Sequence, residues 1–141
     1  MECNIYKASE IKQNLQCPPA GTSGIYALIH NNQVIYVGQS TNLRARIMAH
    51  LKAESRLKDL FKTRKNHECA TYKMQKERYE FIRDNYDDIY YLYIPAGATE
   101  LNTLEEYYIA KYKPRFNYAG VYSKYSGVER YIAGTANTKG D

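Results

Sequence analysis

Glu105 stands where a carboxylate is costly. Leu101, Leu104, Tyr108, Ile109 and Tyr112 recur at helical spacing, and Glu105 falls inside their stripe, one turn from Leu101, Tyr108 and Ile109. Glu106 points outward. A buried carboxylate without a partner costs several kcal/mol, so Glu105 must meet a cation. Two partners fit: a divalent metal, or a salt bridge, most simply to Arg46. Arg46 and His50 are spaced i, i+4 and share a helix face beside Leu43, Ile47 and Leu51. A guanidinium is a planar fork of permanent charge and suits a phosphate, although a surface arginine also fits the pattern. His50 is either a proton carrier or a packing histidine. Tyr26 and Tyr36 complete the set. A phenol, with an ordinary pKa of about 10, is a poor base at neutral pH until a metal or an arginine lowers it.

These residues need a frame. Gly24-Ile25-Tyr26-Ala27-Leu28-Ile29-His30 and Val34-Ile35-Tyr36-Val37-Gly38 read as two strands. Asn31-Asn32 between them tolerates the positive φ of a tight hairpin. Both strands are nearly continuously apolar, which predicts cover on both faces. Parity matters here. A clean two-residue loop puts Tyr26 opposite Val37 and Tyr36 on the other face; a three-residue loop or a single bulge returns both phenols to one face.

A helix is predicted from Asn42 to Ala53, capped by Thr41 or Ser40. Residues 55–68 are polar, basic and partly helical. A further helix spans Ala70 to Asn85, with Tyr72, Tyr79 and Ile82 on one side. Ile89 to Ile94 reads as a third strand, and Glu100 to Tyr112 as a last helix that ends before Pro114. Residues 1–23 form a lead-in, with a short helix from Ser9 to Leu15. Beyond Tyr118 the chain is a Gly- and Tyr-rich tail, frayed toward its end. The order defines an α+β domain: a small three-stranded antiparallel sheet flanked by helices.

The 141 residues allow one domain with a modest core. The formal net charge is +5, and it is unevenly spread: Arg44 to Arg83 holds 12 Lys and Arg against 5 Asp and Glu. Lys52, Arg56, Lys58, Lys62, Arg64, Lys65 and Lys73 therefore form the predicted nucleic-acid face, with a solvated helix surface as the plain alternative. Cys3, Cys17 and Cys69 form no C-x-x-C pair, which argues against zinc and a disulfide framework and for a reducing, cytoplasmic or other intracellular compartment. The N-terminus begins no signal peptide, and no apolar run reaches the length of a membrane span.

The ordered series Gly24-Ile25-Tyr26, Tyr36-Val37-Gly38, Arg46, His50, Glu105 and Asn117 resembles the GIY-YIG nuclease family over residues 24–118. Val37 replaces the Ile of the second tripeptide. Arg46 follows Gly38 at the family's spacing, many members carry a His one turn later, as His50 does, and Glu105 precedes a similar Ile-x-x-x-x-Pro-x-x-Asn run. The resemblance implies hydrolysis of DNA phosphodiesters with Mg²⁺ (or Mn²⁺) on Glu105, Arg46 on the phosphoryl oxygens, and water assisted by a tyrosine. Tyr26 is the preferred base, with Tyr36 orienting water or phosphate. His50 would bond the base tyrosine or serve the leaving group. Gly24 and Gly38 would permit close backbone approach, and Asn117 would tie the helix end to the site. Gln39 departs from members that carry Lys there and removes one possible phosphate contact. The stretch after Tyr118 is too short for a targeting module, so a stand-alone nuclease is expected. Two rivals remain: a catalytically silent nucleic-acid binder, and a protein-interaction module using Tyr118, Tyr122, Tyr125 and Tyr131.

Overall fold

The computed structural model describes residues 5–14, 17–63 and 70–117. Four strands form one antiparallel sheet: β1 (Tyr6–Lys7), β2 (Gly24–His30), β3 (Gln33–Ser40) and β4 (Tyr90–Pro95), in the order β1-β4-β2-β3. The expected three strands are present, and the fourth is a correction. A two-residue strand has no periodicity to read in a sequence. Tyr6 pairs with Tyr91, and its ring lies 5.4 Å from that of Tyr91 and 6.2 Å from that of Tyr93, so aromatic packing holds β1 on the edge of β4.

The sheet is covered on both faces, as the apolar strands require. Tyr26, Leu28 and Ile35 face a core shared with Leu43, Ile47, Tyr79, Ile82 and Phe116. Ile25, Ala27 and Val37 face the other way, onto Leu101, Leu104, Tyr108 and Ile109. Helices α1 (Leu43–Leu51), α2 (Ala53–Thr63) and α3 (Ala70–Asp84) thus serve the first face and α4 (Leu101–Tyr112) the second.

The helix expected over Asn42–Ala53 is α1, and it stops at Leu51. Lys52 leaves helical geometry at φ −87°, ψ 52°, and α2 starts at the next residue. The cap is Asn42, not Thr41 or Ser40; its Oδ1 receives the Ala45 N–H at 3.4 Å. The Ser9–Leu15 helix is replaced by a 3₁₀ turn at Ala8–Glu10, while Leu15 lies outside the described residues. That lead-in is not peripheral. Ala8 and Ile11 are buried, and the Arg44 guanidinium donates to the carbonyls of Ile11 and Asn14 at 2.8 and 2.9 Å. Helix α4 ends at Lys113, whose left-handed backbone (φ 45°) donates its N–H to Ile109 O before Pro114. Among the described residues, no helix is long and apolar enough to cross a membrane.

Candidate active site

The hairpin solves the parity problem with a bulge. Asn31 and Asn32 take φ values of 51° and 62°, the paired positive angles of a two-residue turn. Such a turn alone would separate the phenols. The register, however, shifts between Leu28 and Ile29: Ile29 pairs with Val34, Leu28 pairs with Tyr36, and Ile35 is the extra residue. Beyond the bulge, Tyr26 pairs with Gly38, so Tyr26 and Tyr36 share a face. Their ring centres lie 6.0 Å apart.

Gly38 makes room for Tyr26. A Cβ at residue 38 would come within 2.7 Å of the Tyr26 ring carbons and hydroxyl. Gly24 is tighter still, since its Cβ would strike the Ile94 carbonyl of β4. The Tyr26 ring is fully buried, and its hydroxyl lies 3.0 Å from His50 Nδ1. Burial, with Tyr36 nearby, raises the Tyr26 pKa well above that of a free phenol, against a smaller lowering by Arg46 and Arg78. His50 is also buried. Burial, then the charges of Arg78, Arg46 and Arg56, push its pKa well below the usual value, so the imidazole is neutral at physiological pH. Its ring meets Tyr26, Tyr36 and Tyr79 at 5.7, 5.1 and 5.7 Å, and Nε2 has no hydrogen-bond partner among the described residues.

Helix α1 supplies Arg46 along with His50. Burial opposes the Arg46 charge, but the Tyr26 and Tyr36 phenols outweigh it and raise its pKa, so it stays a cation. The sequence reading missed the contribution of α3. Arg78 is buried with its guanidinium carbon 4.5 Å from the centre of the Tyr36 ring and 4.9 Å from that of Tyr79. The Tyr79 phenol also meets Arg56 of α2. Although burial raises it, Arg78 and Arg56 bring its pKa below the ordinary phenol value. The signal was available: Arg78 sits with Tyr79 and Ile82 at helical spacing, as Glu105 sits in its own stripe.

Glu105 approaches from the other side. Helix α4 lies on the opposite face of the sheet, and Glu105, 8% exposed, accepts from Gln39 Nε2 at 3.0 Å. Gln39 also donates to Asn102 Oδ1 at 2.7 Å, one turn earlier on α4. Gly38, beside the Tyr26 ring, and Gln39, which reaches Glu105, are adjacent near the C-terminal end of the edge strand β3. Gln39, noted in the sequence only as the loss of a lysine, links strand to carboxylate. Among the described residues no three His, Cys, Asp or Glu side chains form a metal cluster. One carboxylate with a neighbouring amide oxygen nonetheless fits a hard divalent ion that keeps several waters and takes further oxygens from phosphate.

Asn117 is a backbone clamp. Its amide receives the Val37 N–H and donates to the Val37 carbonyl, both at 2.8 Å, and so completes the outer edge of β3. Of the predicted basic face, Lys52, Lys58, Lys62 and Lys73 are exposed and Arg56 is half-buried; Arg64 and Lys65, like the tail tyrosines, lie outside the described residues.

The bulged hairpin thus gathers phenols, an imidazole and arginines on one face of a helix-flanked sheet. The chain belongs to the GIY-YIG catalytic-domain family, whose model matches residues 22–119. It is also similar to solved structures of the GIY-YIG N-terminal endonuclease domain of UvrC from Thermotoga maritima. The domain solved with magnesium is 18% identical, with a TM-score of 0.43, over 77% of this chain and 96% of that one. A tyrosine-to-phenylalanine point mutant of that domain, bound to the catalytic divalent cation, is also 18% identical, with a TM-score of 0.43, over 77% of this chain and 94% of that one. No curated protein matches.

Proposed function

We propose that the chain is a divalent-metal-dependent endonuclease that hydrolyses DNA phosphodiesters. The observation that carries this is the Ile35 bulge, which returns Tyr26 and Tyr36 to one face beside Arg46 and His50. Family membership supports the reaction class. Arg46 neutralises the phosphoryl oxygens as charge develops there. Tyr26 is fully buried and bonded to His50, whereas Tyr36 is partly exposed. These facts support exchanging the roles first assigned: Tyr36 meets the attacking water, and Tyr26 with His50 holds the site in register. His50, neutral and enclosed, suits that supporting part better than protonation of a leaving group. Glu105, steadied by Gln39 and next to Asn102, would hold Mg²⁺ or Mn²⁺, which when bound supplies Lewis-acid polarisation of the phosphate. The exposed lysines of α2 and α3 with Arg56 would track the nucleic-acid backbone.

The test is a panel of single-stranded, duplex, flap and junction DNA, with Mg²⁺ or Mn²⁺ and with chelator, using wild type and Glu105→Gln. Cleavage that needs metal is expected, and Glu105→Gln should lose it while keeping the fold, because a glutamine oxygen still accepts from Gln39. Retained cleavage by Glu105→Gln would reduce Glu105 to a structural residue. Binding without cleavage across the panel would make the chain a nucleic-acid-binding module.

A further inference from the structure

Among the described residues, Arg78 is a buried cation without a counter-ion. It is 6% exposed, and its Nε has no hydrogen-bond partner there. The ion pairs described on its own helix, Lys76–Glu80 and Arg83–Asp84, leave it out. Its neighbours are two aromatic faces, Tyr36 at 4.5 Å and Tyr79 at 4.9 Å, and the Tyr79 hydroxyl. More positive charge surrounds it: Arg46 from α1 and Arg56 from α2 act with Arg78 on the same histidine. A fold that only needed packing here would be better served by an apolar side chain, since a buried unpaired charge is destabilising. Tyr36 is partly exposed, so a phosphate docked at its hydroxyl lies about one phenol ring from the guanidinium, in surroundings that screen the attraction poorly.

We propose that Arg78 is a second phosphate-recognition arginine, whose missing counter-charge is a phosphate of the bound nucleic-acid strand. It is supplied by α3, apart from the set of tripeptides, Arg46, His50 and Glu105. The choice of a nucleic acid as the source of that phosphate rests on the nuclease reading above.

The experiment compares wild type with Arg78→Met in chelator, where no cleavage occurs, by fluorescence anisotropy of a labelled DNA strand across salt concentrations. Arg78→Met should bind about tenfold more weakly, with a log–log salt slope smaller by about one unit. Without DNA its melting temperature should equal or exceed that of wild type. Wild-type affinity and slope, or a lower melting temperature with an unchanged slope, would make Arg78 a packing residue and overturn the proposal. Should Arg78→Met not fold, the wild-type protein decides. The phenolate absorbance step that disappears in Tyr79→Phe should move to higher pH when the DNA strand is added, and not with inorganic phosphate at the same phosphate concentration. No movement with DNA, or equal movement with inorganic phosphate, would overturn the proposal. Arg78-dependent binding without any metal-dependent cleavage would sink the nuclease reading alone. Cleavage with Arg78-independent binding would sink this inference alone.

Discussion

Gly38→Ala tests the centre of the site with a single methyl group. The new Cβ would lie 2.7 Å from Cε1, Cζ and the hydroxyl of Tyr26, closer than real Cβ contacts come. Tyr26 has little freedom to yield. Its ring is fully buried, and its hydroxyl is bonded to His50 at 3.0 Å. Overpacking of this kind costs about 1–3 kcal/mol. If the ring moves, the buried hydrogen bond is lost as well, at about 0.5–1.5 kcal/mol. The expected destabilisation is therefore about 1.5–4.5 kcal/mol, a fall of roughly 5–15 °C in melting temperature for a domain of this size. Urea unfolding should show a lower midpoint with an unchanged m-value.

The double variant sharpens the test. Tyr26→Phe already lacks the hydrogen bond, so adding Gly38→Ala to it should not lose that bond again. The two changes together should cost less than their sum, by about the 0.5–1.5 kcal/mol of one hydrogen bond. A Gly38→Ala protein as stable as wild type would refute the close approach of Tyr26 to β3. Full additivity would refute the claim that the methyl group acts by displacing the hydroxyl from His50.

Asn117→Ala should leave both Val37 backbone groups unpaired on the outer edge of β3, and destabilise by about 2–4 kcal/mol in denaturant unfolding; a change below about 1 kcal/mol would remove Asn117 as a clamp. His50 has a lowered pKa when folded and an ordinary one, about 6.5, when unfolded, so the unfolded chain binds the proton first as pH falls. Wild type should therefore lose stability below about pH 6.5, by up to about 1.4 kcal/mol per pH unit from this group, and His50→Gln should be flatter between about pH 6.5 and 5 in urea titrations; parallel profiles would refute the buried neutral imidazole. Arg46→Ala should lower turnover far more than DNA affinity, by about 2–4 kcal/mol in transition-state stabilisation, and equal losses would place it among ordinary backbone contacts.

The residues most legible in the sequence were those whose type conflicts with their position. Glu105 was readable because a charge interrupts an apolar stripe, and the structure buries it. The tyrosine parity was readable as a condition on the hairpin, but not the device that meets it. Val34 and Ile35 are both β-branched and apolar, and with both sheet faces covered either side accepts them, so pattern alone does not mark Ile35 as the bulge. β1 was hidden by its two-residue length, and the break at Lys52 carries no glycine or proline to announce it.

Charge was the least legible property, because a count of basic residues does not say what each one faces. Two members of the same basic run show the range. Arg44 donates to carbonyls of the lead-in and is part of the scaffold. Arg78 is buried between Tyr36 and Tyr79 without a carboxylate among the described residues. Lys58 and Lys62 on α2 are exposed. The basic face inferred from the sequence took in these lysines and neither arginine. Arg44 has its acceptors supplied by the fold, so its replacement should weaken the lead-in and leave nucleic-acid binding to the others. Arg78 has no such acceptor for its Nε among the described residues, and its replacement should do the reverse. The difference between these two arginines, identical in sequence terms and opposite in electrostatic circumstance, separates the charge that builds this fold from the charge the fold holds ready for a ligand.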